Sequence, residues 1–262
     1  MAEANSAIHE GWGGRLRVVR AVAWVTLREL LRDRVLYAVL VGSVLVFGVA
    51  LLGSRLSAAT HARLILDFGF TAVSLSSAGL GLLAGSVLVA RELDRRTLQV
   101  AVARPVSRTL WLFGKFSGAA ATLAISTVSM AVSWWLLQLL ASIVSRGEAG
   151  LLVSFNLQLG AVLLVWLQGL MLVALAFVFA SFSTATLSAL LAFGVFVVGS
   201  NASQWDALAR DSDVVFSKVT LTGLGWVIPR FEALQTTMSL SYGVGVSPAT
   251  TLLAAAYAVA WT

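Results

Sequence analysis

Five stretches of this chain, at about 35 to 54, 68 to 90, 112 to 143, 151 to 181 and 184 to 200, are long, apolar and almost free of charge. A helix that crosses the hydrocarbon of a bilayer needs roughly 20 mainly apolar residues, and only helices or closed barrels satisfy their backbone there. With 59% of residues hydrophobic and 11% charged, one soluble core could not hide so much apolar surface. The chain is therefore expected to be an all-α polytopic membrane protein, a helix bundle spanning 1–262 as one transmembrane domain. A sixth span begins near Ser247 or Pro248 and runs as "PATTLLAAAYAVAWT" to Thr262. That is short for a span and lacks a basic flank, so either the sequence is truncated within this helix, the favoured expectation, or the helix finishes just at the interface. No short apolar core followed by a small-residue cleavage site occurs ahead of Val35, so the first apolar run is expected to be a retained span.

The net charge of +6 would suggest nucleic acid in a soluble domain. Here, however, the basic residues sit in short blocks beside apolar runs, which is a topology signal and not a nucleic-acid face. Arg15, Arg17, Arg20, Arg28, Arg32 and Arg34 precede the first span, and Arg91, Arg95, Arg96, Arg104, Arg108 and Lys115 lie between the second and third. Two spans separate these blocks, so both face one side, and the positive-inside rule places that side and the N-terminus in the cytoplasm. The loop around Arg55 to Asp67, the "SRGEAG" connection at Ser145 to Gly150 and the stretch 201–246 then fall outside. A bacterial or archaeal plasma membrane is the expected location.

Two segments flanking the spans carry patterns of their own. Over residues 12–34, Leu16, Val19, Ala23, Leu27, Leu30 and Leu31 form a helical stripe, with Arg17, Arg20, Arg28 and Arg32 mostly off it. With Trp24, this reads as an amphipathic helix in the plane of the lipid headgroups, against a plainer cytoplasmic cap on the first span. The stretch 201–246, with "DALARDSDVVF" and "VIPRFEAL", is too polar to span and too apolar for a free tail. Short helices at or dipping into the outer interface explain it, as does an ordinary exported loop.

Catalytic chemistry is hard to build from this sequence. There is no cysteine, which excludes disulfides, thiolate metal sites and cysteine nucleophiles. His9 and His61 are the only histidines and both lie outside the spans, so neither a histidine metal centre nor a serine–histidine pair is expected. "GKFS" at Gly114 to Ser117 resembles the end of a phosphate loop, but Thr109 stands where the first glycine is needed and Phe116 where a serine or threonine should be. ATP chemistry is thus expected elsewhere. Ser77, Gly81 and Gly85 recur every four residues, a small-xxx-small stripe suited to close helix packing. Gln138, Asn156, Gln158 and Gln168 are the polar exceptions near the third and fourth spans. Gln138, Gln158 and Gln168 either line a substrate path or hydrogen-bond between helices. The nine tryptophans suit anchoring at the interface.

The block "RELDRRTLQVAVARPVSRTLWLFGK", Arg91 to Lys115, packs six basic and two acidic residues into 25. Leu98, Ala101 and Val102 fall on one face of a short helix, framed by Asp94, Arg95, Arg96 and Gln99. Pro105 disfavours helix at Arg104 and Ser107 can cap the next helix. A small apolar face with a charged rim, held between two spans, suits a groove on a cytoplasmic partner. A solvated loop touching only headgroups is the alternative.

This block resembles the cytoplasmic loop of type-2, export-type ABC-transporter permeases, in which E-x-x-R-R-T is followed by R-P-V-S-R and then G-K. "TLRELLRDRVLY" at Thr26 to Tyr37, "ARLILDFG" at Ala62 to Gly69 and "VIPRFEAL" extend the resemblance over most of the chain. The resemblance implies six transmembrane helices forming half of a membrane dimer, an interfacial elbow helix over 12–34 and re-entrant outer helices over 201–246. It implies a coupling helix in 91–110 that docks on an ATPase subunit through Glu92, Arg95, Arg96, Thr97, Leu98, Ala101, Val102, Arg104 and Pro105. The partners implied are two copies of an ABC ATPase, which bind the ATP and magnesium, and a second permease, identical or related, beside membrane lipid. No cofactor, metal or catalytic residue is expected in this chain. A membrane anchor or assembly factor that recruits a cytoplasmic protein without moving a substrate is the competing function.

Overall fold

The computed structural model describes residues 12–56, 61–94, 107–144, 155–211, 228–235 and 248–262, and no strand occurs among them. The helices are α1 (Trp12–Leu31), α2 (Arg34–Leu56), α3 (His61–Asp94), α4 (Arg108–Val144), α5 (Phe155–Ala180), α6 (Ala185–Gly199), α7 (Ala202–Asp211) and α8 (Pro248–Trp261). Among the described residues, a 3₁₀ turn, Phe231–Leu234, precedes α8.

Three stretches within these helices are long and apolar enough to cross a membrane: Asp67–Ala90 in α3, Thr109–Leu140 in α4 and Gln158–Ala180 in α5. They fall on the second, third and fourth apolar runs of the sequence. The other apolar stretches are shorter: Leu36–Val49 in α2, Ala185–Gly199 and Ala249–Trp261. Helix α6 has 15 residues. At about 1.5 Å per residue it reaches roughly 22 Å, less than the hydrocarbon thickness of roughly 30 Å. Its last residue, Gly199, lies against the Pro229 carbonyl, so the end of the helix packs directly on a segment thirty residues further along the chain.

The chain signals its own breaks. α1 closes with tightened bonds from Arg32 N to the Glu29 carbonyl (3.3 Å) and from Asp33 N to the Leu30 carbonyl (3.1 Å), and α2 starts at Arg34. Ser107 caps α4 as its position before the helix suggests: its Oγ accepts a long 3.4 Å bond from Leu110 N. Between α5 and α6, Ser181 Oγ and Ser183 Oγ donate to the carbonyls of Val178 (2.6 Å) and Phe179 (2.7 Å). These hydroxyls satisfy carbonyls that the helix end leaves open. α8 begins on Pro248, whose missing N–H is no loss in a first turn.

Around an apolar core, burial departs from that of a soluble protein in two ways. Ser77, Thr127, Gln138, Gln158, Gln168, Ser188 and Lys115 are buried, while Val41, Leu45, Phe113, Ile143, Leu252 and Leu253 are exposed. Apolar surface on this scale is stable only against an apolar solvent, whereas the interior polar groups knit the helices together. α5 is central: it packs on α3 most extensively and also touches α4, α6 and α8, while α1 lies along α4 and α2 along α3.

Candidate functional site

The seam between α3 and α5 is built from residues without side-chain bulk. A Cβ at Gly81 would lie 2.6 Å from the Gly169 carbonyl oxygen, and one at Gly85 would lie 2.7 Å from Ala176 Cβ and 2.9 Å from the Val173 oxygen. Ser77, one turn before Gly81, donates from Oγ to the Val165 carbonyl at 3.3 Å and lies 3.2 Å from Thr127 Oγ1 of α4. The Ser77–Gly81–Gly85 stripe is therefore a packing surface that brings α3 and α5 into backbone contact, with α4 joined through the Ser77–Thr127 hydroxyl pair. Trp166 Nε1 adds a bond to the Ala120 carbonyl at 3.1 Å.

The three glutamines are all buried but do not act as one group. Gln158, in the first turns of α5, donates from Nε2 to Gln138 Oε1 of α4 at 3.2 Å. Gln168 lies ten residues further along α5, about 15 Å deeper, and neither its Nε2 nor its Oε1 finds a partner among the described residues. One turn from Gln138, the Trp134 ring packs against Gly69 and stands 5.7 Å from Phe70. An apolar crevice of about 50 Å³ opens between Leu36, Leu83, Val87 and Leu123. Its hydroxyls are occupied, since Thr122 and Ser126 donate back to the carbonyls of Gly118 (3.0 Å) and Thr122 (2.9 Å). At a third of the roughly 150 Å³ that admits benzene, it is too small for a sizeable ligand.

The charged block enters and leaves through α3 and α4. Glu92 lies in the last turn of α3. Arg95, Arg96, Thr97, Leu98, Ala101, Val102, Arg104 and Pro105 lie outside the described residues. The description resumes at Ser107, and the first turns of α4 are fastened to α1. A Cβ at Gly114 would lie 2.6 Å from Val22 Cβ, and one at Gly118 would lie 2.6 Å from Thr26 Cβ and 2.7 Å from the Ala23 carbonyl oxygen. "GKFSG" is thus a small-xxx-small seat for α1, which explains its glycines without any phosphate. Between the two glycines, Lys115 has a side chain only 8% exposed, with Nζ 3.9 Å from Glu29 Oε2 and 5.5 Å from the centre of the Trp111 ring.

The clamp was not legible as such in the sequence. Its signal was the pair of glycines four apart at the start of a span, with a cation between them and a carboxylate on the preceding helix. The packed face of α1 also differs from the apolar stripe counted along it: Val22 and Thr26 join Val19, Ala23 and Leu30, whereas Leu16 is exposed.

At the far end of α6, "VIPRFEAL" is folded onto the bundle over the residues described. Phe231 and Leu234 are fully buried, and Phe231 stacks edge-on against Phe196 at 5.3 Å. Glu232 Oε2 accepts from Ser203 N at 2.8 Å, at the N-terminus of α7, and Arg230 N donates to Tyr257 Oη of α8 at 2.8 Å. A carboxylate at that end of a helix meets both open N–H groups and the favourable end of the dipole. The turn ties α6, α7 and α8 together. Among the described residues, no three His, Cys, Asp or Glu side chains converge on a possible metal position.

A bundle with apolar outer walls, polar seams inside and several membrane-length helices is a multi-pass membrane protein. The model of the ABC-2 family transporter proteins matches residues 20–205, more than two thirds of the chain. The chain belongs to this family, and so to the membrane transport components of ABC systems, which are permeases that associate with an ABC ATPase and are not themselves catalytic. No curated protein matches it as a relative.

Proposed function

We propose that this chain is the permease subunit of an ATP-driven exporter. Six helices span the membrane, with the N-terminus in the cytoplasm of a bacterial or archaeal cell, and residues 91–110 form a coupling element seated on the ATPase. Two ATPase copies bind ATP and magnesium and close together. Two permeases, identical or related, face each other across the substrate path. ATP-dependent closure favours one arrangement of the paired permeases over the other, as any driven change of access must.

The observation that carries this reading is mechanical. The charged block joins the ends of α3 and α4, two membrane-length helices, and the start of α4 is clamped to α1 through Gly114, Gly118 and the Lys115–Glu29 pair. A displacement applied at the block therefore acts on α3 directly and on α1 through its clamp to α4. Gln168, buried and without a partner among the described residues, supports a path that forms when those helices rearrange, because polar groups inside a membrane are costly and often mark such paths.

The test is co-expression with the ATPase of the same system, followed by purification of the pair. The double variant Glu92→Ala, Arg96→Ala is expected to weaken the pair and abolish stimulated ATP hydrolysis and transport together. Truncating one partner of a buried charge pair at a protein interface costs about 2 kcal/mol or more, about 30-fold in affinity. A variant that retains stimulation and transport contradicts the coupling role. A pair that associates but moves no substrate in any lipid, polysaccharide, drug or peptide assay favours the membrane-anchor reading instead.

A further inference from the structure

α1 has two opposite faces of different chemistry. At about 100° per residue, Val19, Val22, Ala23, Thr26 and Leu30 share one side, and the close approaches of Gly114 and Gly118 show that this side lies against α4. On the opposite side, Arg17, Arg20, Trp24 and Arg28 form a ladder with steps of three, four and four residues, continued by Arg32 in the turn just past the helix end, all exposed. The ladder is about 22 Å long. Trp24, 53% exposed, stands in its middle with the Arg28 guanidinium 4.8 Å over its ring. Exposed Val25 lies beside it.

The ladder carries no balancing charge of its own. Glu29 is the one carboxylate of α1, and it lies off the ladder, drawn toward Lys115. Like charges at i, i+4 repel on a helix surface, so four arginines in a row favour a polyanionic neighbour. The neighbourhood selects which kind. Only Arg32 and Asp33 separate α1 from the apolar helix α2, so the end of the ladder lies at the membrane surface. Tryptophan is the side chain suited to the headgroup level, and guanidinium groups match phosphate with paired hydrogen bonds.

We propose that this face of α1 binds the phosphate groups of anionic phospholipids in the adjoining leaflet through Arg17, Arg20, Arg28 and Arg32, with Trp24 seated among the headgroups. Because the other face of α1 is fixed to α4, the bound lipid holds the α1–α4 pair at the membrane surface. Each arginine contributes about fivefold to association with an anionic surface. Three or four together give a preference for anionic over zwitterionic lipid on the order of 100-fold, before competition from other lipid contacts.

The full chain in detergent is titrated with phosphatidylglycerol and separately with phosphatidylcholine, and lipid adducts are resolved by native mass spectrometry. The wild-type protein is expected to retain phosphatidylglycerol at least tenfold better, and raising salt from about 0.05 to 0.5 M is expected to erase most of that preference. The variant Arg17→Gln, Arg20→Gln, Arg28→Gln, Arg32→Gln is expected to bind both lipids alike while melting close to wild type in phosphatidylcholine. A wild-type preference indifferent to salt overturns the proposal without recourse to any variant. So does a variant that keeps the preference, or one that keeps it yet loses the ATPase, which would make the ladder a protein-docking face.

Discussion

Gly79 and Gly81 provide a matched pair for measuring what the α3–α5 seam contributes. They lie two residues apart in the same helix, yet a Cβ at Gly79 meets nothing within 4 Å, while one at Gly81 lies 2.6 Å from the Gly169 carbonyl oxygen. Alanine at either site gains the same helix propensity, up to about 1 kcal/mol over glycine. The difference between the two variants therefore isolates the close approach. An ordinary contact is 3.4 Å or more, so Gly81→Ala must push α5 away by the difference, 3.4 minus 2.6, or about 0.8 Å. No side-chain rotation can relieve a clash with backbone. Overpacking of this kind costs typically about 1–3 kcal/mol, and the displacement also stretches the bond from Ser77 to Val165. At roughly 2–4 °C per kcal/mol for a chain of this size, Gly81→Ala is expected to melt about 4–8 °C below Gly79→Ala. Helix content followed by circular dichroism during a thermal scan in detergent measures this. Equal melting of the two variants, or Gly81→Ala melting higher, would refute the claim that this seam is held at backbone contact.

Other sites yield independent expectations. The Lys115 side chain is 8% exposed and that of Glu29 49%. Glu29→Gln is expected to destabilise by about 1 kcal/mol and Lys115→Met by less, because the first weakens the surroundings of a buried cation that keeps its other contacts, and the second leaves a carboxylate that water can reach. Chemical denaturation of the two variants in mixed micelles checks the order. Gln138→Leu and Gln158→Leu are each expected to cost about 1 kcal/mol, and the double variant less than the sum, giving a coupling of about 0.6 kcal/mol in a double-mutant cycle. Since the sequence has no cysteine, Val22→Cys with Gly114→Cys introduces the only thiols. Their Cβ positions lie 2.6 Å apart, closer than the roughly 3.8 Å a disulfide spans. Mild oxidation is therefore expected to join them once the helices ease apart by about 1 Å, read as a mass loss of about two hydrogens. Two thiols beyond the reach of any short bifunctional cross-linker would separate α1 from α4.

Apolar run length made the helices of this protein legible, because a long apolar stretch satisfies its backbone and its side chains in an apolar solvent only as a helix. Local chemistry likewise marked Ser107 as a cap, Pro248 as a helix start and Ser77, Gly81 and Gly85 as a seam. What stayed hidden depended on partners distant in sequence. "GKFSG" looked like a failed phosphate loop, since nothing local says that Val22 and Thr26 lie over its glycines. The α1 stripe was counted from apolar residues alone, yet close packing selected by size, taking Thr26 and leaving Leu16 in the open. Lys115 read as one more topological charge, although its stem is buried beside Glu29 and Trp111. The fifth run forms the 15-residue helix α6, and nothing local says that its end at Gly199 packs on Pro229. Neither the pairing of Gln158 with Gln138 nor the separation of Gln168 from both follows from sequence spacing, which places all three on neighbouring spans without saying which faces meet.

The proposal that ATP closure reaches the membrane helices through the charged block is tested most directly by a distance. Thr109 is exposed at the start of α4, and Thr109→Cys introduces a single label site. With a nitroxide there and the ATPase bound, the spacing between the two permeases is read by pulsed electron paramagnetic resonance, in lipid discs, without nucleotide and with ATP and magnesium. A shift of at least about 2 Å, the scale of helix movement at switching interfaces, is predicted with ATP and should vanish in the Glu92→Ala, Arg96→Ala variant. An unchanged distance while the bound ATPase turns over would contradict the account.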